Sequence, residues 1–196
     1  MKKIIAVFFT LLPLFGFSQV DLTYQQPHED ILELANVPMP PSMSINPDGD
    51  KALLIFRNQS QKIEDLAEDE LRLAGLRINP KTNISSRTRF YIDLKLFDPK
   101  QKKEMDIDGL PSNPKISNIN WSPNYNYIAF TNTTDVGNEL WVIDYNEKRA
   151  VQLTSTIVNG NFGTTLTWLP DESAVLVKTL PGNRPDLINT DNKVPT

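Results

Sequence analysis

The chain has 196 residues, 39% of them apolar and 22% charged, with 20 Lys and Arg against 24 Asp and Glu. This composition can bury a core, and a formal charge of -4 gives no electrostatic reason to bind nucleic acid or an anionic membrane. With no cysteine and one histidine, His28, the chain excludes disulfides, thiolate metal centres, a cysteine nucleophile and any two-histidine metal site of its own, so no metal and no cofactor is expected.

Residues 1–18 read as a signal peptide. Lys2 and Lys3 precede an apolar run from Ile4 to Phe17, and Gly16-Phe17-Ser18 offers small residues for cleavage. The run is shorter than the ~20 residues a membrane-spanning helix needs. The expected product is exported, periplasmic or extracellular, with no membrane attachment after cleavage. Residues 19–41 then form a lead-in that carries His28 in a polar stretch, where a surface position is expected.

From residue 42 onward the sequence repeats itself. Ser44–Phe56, Ile119–Phe130 and Leu166–Val177 each hold an apolar strand, a Pro-Asp or Pro-Asn turn, and a second apolar strand. Proline presets the first turn position, Asp or Asn bonds its own backbone, and Gly49 supplies a residue able to take positive φ. Third and fourth strands follow in the first two units: Phe90–Asp98 with Glu104–Ile107, and Glu139–Asp144 with Val151–Leu153. Four short antiparallel strands per unit describe a β-propeller blade. Pro123 and Pro170 are 47 residues apart, as a blade requires, whereas Pro47 and Pro123 are 76 apart. The surplus falls at 57–89, where the repeat is interrupted.

The expected fold is therefore all-β, an incomplete β-propeller of about two and a half four-stranded antiparallel blades. The first blade spans about 42–110 with an insertion at 57–89, the second about 114–156, and half of a third about 162–180. A propeller of that extent is unclosed, so the chain is expected to be the N-terminal fragment of a longer protein. Trp121 and Trp168 occupy one position of the repeat, which predicts packing between blades, and Trp141, which alternates with Ile143 along a strand, reads the same way.

The insertion holds five acids in 64–70, then Arg72, Arg77, Lys81, Arg87 and Arg89 with no acid from 72 to 89. Ile63–Glu70 fits one or two helical turns; Leu71–Ile78 fits a helix end or a strand. Two readings of the cations stand side by side. They are ordinary solvated surface charge, or Arg72, Arg77, Arg87 and Arg89 form a substrate-recognition element that meets carboxylates through guanidinium forks.

The run Leu66–Asn83 with Ser86-Arg87-Thr88-Arg89-Phe90 resembles the N-terminal propeller of the glutamyl endopeptidase group in the prolyl oligopeptidase family. So do Tyr24–Pro27, Ile31–Leu34 and Pro38–Ser42 in the lead-in. The resemblance implies an exported serine peptidase whose propeller gates and helps select peptide substrates for a C-terminal α/β-hydrolase domain. It implies peptides and that missing domain as partners, and no nucleic acid. No catalytic residue is carried over: the chain has no G-x-S-x-G, and His28 precedes nearly every serine, against the serine–acid–histidine order of such enzymes. By itself the chain is expected to be inactive. A non-catalytic periplasmic propeller that binds a protein partner is the alternative reading, because fold does not fix function.

Overall fold

Short runs of alternating apolar residues separated by turn formers build the chain into antiparallel sheets. A computed structural model of the protein describes residues 26–35 and 37–184; the proposed signal peptide lies outside them. The described residues fall into two units, one up to Val37 and one from Pro38 onward. In the first, helix α1 (Glu29–Ala35) buries no side chain, and the His28 side chain is exposed beside Asp30.

The second unit is mostly β, with no closed barrel. One four-stranded sheet has the order β1 (Ser42–Ile45), β2 (Ala52–Phe56), β6 (Asp93–Asp98), β7 (Lys103–Met105). Another runs β8 (Ile116–Trp121), β9 (Tyr127–Thr134), β10 (Gly137–Asp144), β11 (Arg149–Gln152), and β12 (Leu166–Trp168) pairs with β13 (Val175–Val177). Between β2 and β6 lie helix α2 (Ile63–Leu66) and a small sheet of β3 (Leu71–Leu73), β4 (Leu76–Asn79) and β5 (Ile84–Ser85). This is the sheet order of an incomplete propeller-like fold with an insertion in its first blade. Leu71–Ile78, which fits a helix end or a strand by sequence, is a hairpin. It turns through Ala74 and Gly75, both at positive φ (47° and 88°), as a two-residue hairpin loop requires.

The turns repeat in atomic detail. Gly49, Tyr125 and Glu172 hold one repeat position, have φ of 67°, 59° and 60°, and each donates its N–H to the carbonyl three residues back. Glycine is thus optional there, although a side chain in this region costs about 1 kcal/mol. The outer turns match as well. Asp98 and Asp144 each accept two backbone N–H groups, and Lys102 and Lys148, both four residues on, have positive φ.

Two apolar layers hold the sheets together. Leu53, Leu94 and Leu96 of the first sheet meet Ile116, Ile128, Phe130 and Ile143 of the second. On the other side Ala129 and Leu140 meet Val158 and Leu166. Successive residues of β9 serve opposite layers, as the two-residue side-chain period requires, so this strand is buried on both faces.

Polar links between the sheets also recur. Trp121 Nε1 donates to Ser44 Oγ at 3.0 Å, and Trp168 Nε1 donates to the Asn120 carbonyl at 3.2 Å, so the Trp of one sheet reaches the innermost strand of the preceding one. Trp141 instead stacks on Phe130 within its own sheet. Lys51 Nζ bonds the Tyr125 carbonyl and Asn126 Oδ1, while Glu172 accepts from the Asn124 N–H and Asn126 Nδ2. Burial pushes the Glu172 carboxyl up, but bonds from Ser122, Asn126 and Asn124 outweigh it and hold its pKa at about 2. Trp121→Phe keeps the ring contacts to Tyr125 and Tyr145 and removes the bond to Ser44. It should cost about 1 kcal/mol, read as a lower urea midpoint; an unchanged midpoint would make the indole N–H irrelevant to blade contact.

Candidate functional site

Antiparallel alternation fixes which side of the sheets the insertion occupies. The Pro turns and the outer Asp turns project from one side. The β2–β6 insertion, the β9–β10 turn and the linkers that enter β1, β8 and β12 all lie on the other. The sequence-proposed arginines are therefore on the side where the chain enters its first strand.

Three of them converge. Glu70, just before β3, has a side chain only 16% exposed, and Arg72 Nε and Arg77 Nη1 each donate to its Oε1 at 2.8 Å. Arg87 Nε lies 3.5 Å from Oε2, and the Ser86 hydroxyl bonds the same oxygen. Arg72 and Arg77 are cross-strand partners, a like-charge pairing that destabilises a hairpin by itself. Glu70 offsets it. The Ser86 hydrogen bond, then that of Arg72 and the charge of Arg77, hold the Glu70 carboxyl at a pKa of about 2 against the opposing effect of burial.

This shift has a sign that can be tested. A carboxyl depressed in the folded state stabilises above its unfolded value near 4.5, and that contribution disappears as pH falls toward 2. Amide exchange in 70–87, corrected for intrinsic rates, should lose protection between pH 4.5 and 2 in the wild type and stay level in Glu70→Gln. Identical pH profiles would remove Glu70 from the hairpin's stability.

Arg89 is not in this cluster. It lines a cavity of about 1030 Å³ formed by the start of the insertion, residues 89–92 and the linker 112–115. Arg57, Lys62 and Lys115 share its wall, over apolar surface from Met39, Leu66, Phe90 and Ile92. Lys115 is engaged: it reaches Asp65 Oδ1 at 2.7 Å and sits 5.7 Å from the centre of the Phe90 ring. Arg57, Lys62 and Arg89 have no carboxylate within 4.0 Å among the described residues. The sequence reading passed over Arg57, Lys62 and Lys115. For Arg57 and Lys115 the one signal was a cation at the edge of the repeat, where β2 ends and β8 begins; Lys62, just before α2, carried none.

No family model matches the chain. Among curated proteins, it is 32% identical over 173 residues to a probable glutamyl endopeptidase, chloroplastic, of Arabidopsis thaliana, covering 82% of this chain and 18% of that protein. A protein of the same name from Oryza sativa subsp. japonica is 28% identical over 180 residues, covering 85% of this chain and 19% of its own length. The chain is similar to part of a glutamyl endopeptidase. It spans about a fifth of the length of these relatives. A match of this extent necessarily runs through the insertion at 57–89, so the cavity wall and the Glu70 cluster lie inside the similar region. Among the described residues no helix is long and apolar enough to cross a membrane.

Proposed function

We propose that the chain is the N-terminal propeller-like part of an exported serine peptidase of the glutamyl endopeptidase type, within the prolyl oligopeptidase family. In this reading it gates and helps select peptides for an α/β-hydrolase part of the longer protein. The insertion is the selecting element through Arg89, while Arg72, Arg77 and Arg87 are held by Glu70 and keep its hairpin in shape; catalysis belongs to the hydrolase. The observation that carries the reading is the similarity to two glutamyl endopeptidases along four-fifths of the chain, insertion included.

The test starts from the encoding DNA beyond the Thr196 codon. A downstream G-x-S-x-G followed in order by Asp and His, in a protein that cleaves Glu-containing peptides faster than their Gln counterparts, supports the reading. Further blades followed by a stop codon, with no hydrolase, overturn it. The chain by itself should turn over no acyl ester, since nucleophile, base and oxyanion hole all belong to the hydrolase. Turnover blocked by a serine-directed inhibitor would contradict that division of labour.

A further inference from the structure

We propose that residues 57–67 form a lid over the cavity on the insertion side, with the Lys115–Asp65 ion pair as the latch that holds it shut. The lid deepens the reading of the insertion as the selecting element, and its use in selection rests on that reading. The latch itself is a property of this chain alone.

The two halves of the latch differ in how firmly they are held. Lys115 is a fixed post: its backbone N–H donates to Asn132 Oδ1 at 3.1 Å and its carbonyl accepts from the Thr133 N–H at 3.0 Å, so β9 holds it in place. Its ammonium also rests over the Phe90 ring. Segment 57–67 is the loose half. It gives Arg57 to Lys62, Asp65 and Leu66 to the cavity wall, yet within it only Gln61 and Asp65 are half-buried and the rest are exposed. Helix α2 buries no side chain, and Ile63 and Leu66 are 79% and 59% exposed. Among the described residues one hydrogen bond joins the segment to the rest of the fold, from Lys115 Nζ to Asp65 Oδ1 at 2.7 Å. Swinging the segment out thus exposes little apolar surface and breaks one polar link, the profile of a unit that opens locally while the sheets stay folded.

The pair is strong enough to decide between the two positions. Its side chains are only 21% (Asp65) and 35% (Lys115) exposed, so water screens it less than a surface pair. Burial works against the Lys115 charge, but the hydrogen bond and charge of Asp65 outweigh it and raise the lysine pKa above its ordinary value. Glu68 lies 4.0 Å from the same ammonium and is itself bonded by the Asn79 side chain of β4, so the chain is pinned again just past the lid. The lid therefore hinges at the end of β2 on one side and at residues 67–68 on the other.

The test exploits a chain without cysteine. A thiol placed by Ile92→Cys, on the cavity wall outside the lid, reports access to the space beneath it. Adding Lys115→Met or Asp65→Asn should speed its reaction with a bulky maleimide roughly five- to tenfold. A control thiol from Val151→Cys, on the exposed strand β11, should react at one rate with and without the latch. Amide exchange at Leu66 and Ala67 should rise by a similar factor, and added salt should raise it in the latched chain but not in Lys115→Met. Lys115→Arg should keep the lid shut, and the charge swap Lys115→Asp with Asp65→Lys should restore part of the protection. Unchanged labelling at residue 92 in both latch variants overturns the proposal. So does faster amide exchange without faster labelling, which would make the segment loose but not a cover. None of these readouts needs a hydrolase, so the lid and the peptidase reading fail separately.

Discussion

Phe130→Ala should destabilise the chain by about 3–5 kcal/mol, a large share of the ~5–15 kcal/mol available to a domain. Phe130 is fully buried on β9, stacks on Trp141 with ring centroids 6.3 Å apart, and belongs to the layer between the two four-stranded sheets. Truncation removes the largest fully buried side chain of that layer, and rigid sheets on either side cannot collapse onto the void. Phe130→Leu refills part of it and should cost markedly less. Urea unfolding followed by tryptophan fluorescence reads both. An Ala variant within 1 kcal/mol of wild type would mean that the two sheets do not depend on this layer.

The same layer explains how much of the fold was legible. Ile128 and Phe130 face one neighbour and Ala129 the other, and the apolar first half of β9 fits a strand buried on both sides, whereas Thr131, Asn132 and Thr133 are buried without any apolar signal. The Pro-Asp and Pro-Asn turns were readable because their chemistry is local. Positive φ at Tyr125 and Glu172 was not, since only Gly49 advertises it. Trp121 and Trp168 could be assigned to blade contact from their shared repeat position, and their indole N–H groups do cross from one sheet to the preceding one.

The insertion was harder. Its acids and bases look segregated along the chain, but the reversal at Ala74-Gly75 and the return through β5 bring Glu70 against Arg72, Arg77 and Arg87. Leaving 71–78 open between helix and strand hid that pairing, because only a hairpin places residues 70, 77 and 87 side by side. The cavity had no local signature at all. Arg57 and Lys115 share a wall only because the second sheet lies against the first.

Gly160→Ala should loosen the insertion from the body of the fold. The Gly160 N–H donates to the Asn83 carbonyl at 3.0 Å, and the Arg184 guanidinium bonds Asn83 Oδ1, so the loop between β4 and β5 is tied to residues that flank the third sheet. A β-carbon at Gly160 would lie 2.7 Å from Ile84 Cγ2 and 3.3 Å from Asn138 Nδ2. Ile84 is buried, so it cannot swing into solvent, and overpacking of this kind costs about 1–3 kcal/mol. The strain falls on the seam and not on the main apolar layers. Trypsin should then cut at Arg72, Lys81 or Arg87 several-fold faster than in wild type, with a smaller change in the urea midpoint. Ile84→Leu removes the methyl branch that clashes, so Gly160→Ala with Ile84→Leu should restore much of the resistance, a coupling expected only of residues in contact. Unchanged nicking in Gly160→Ala, or additive effects in the double variant, would show that the insertion is held by its own hairpin and not by this seam.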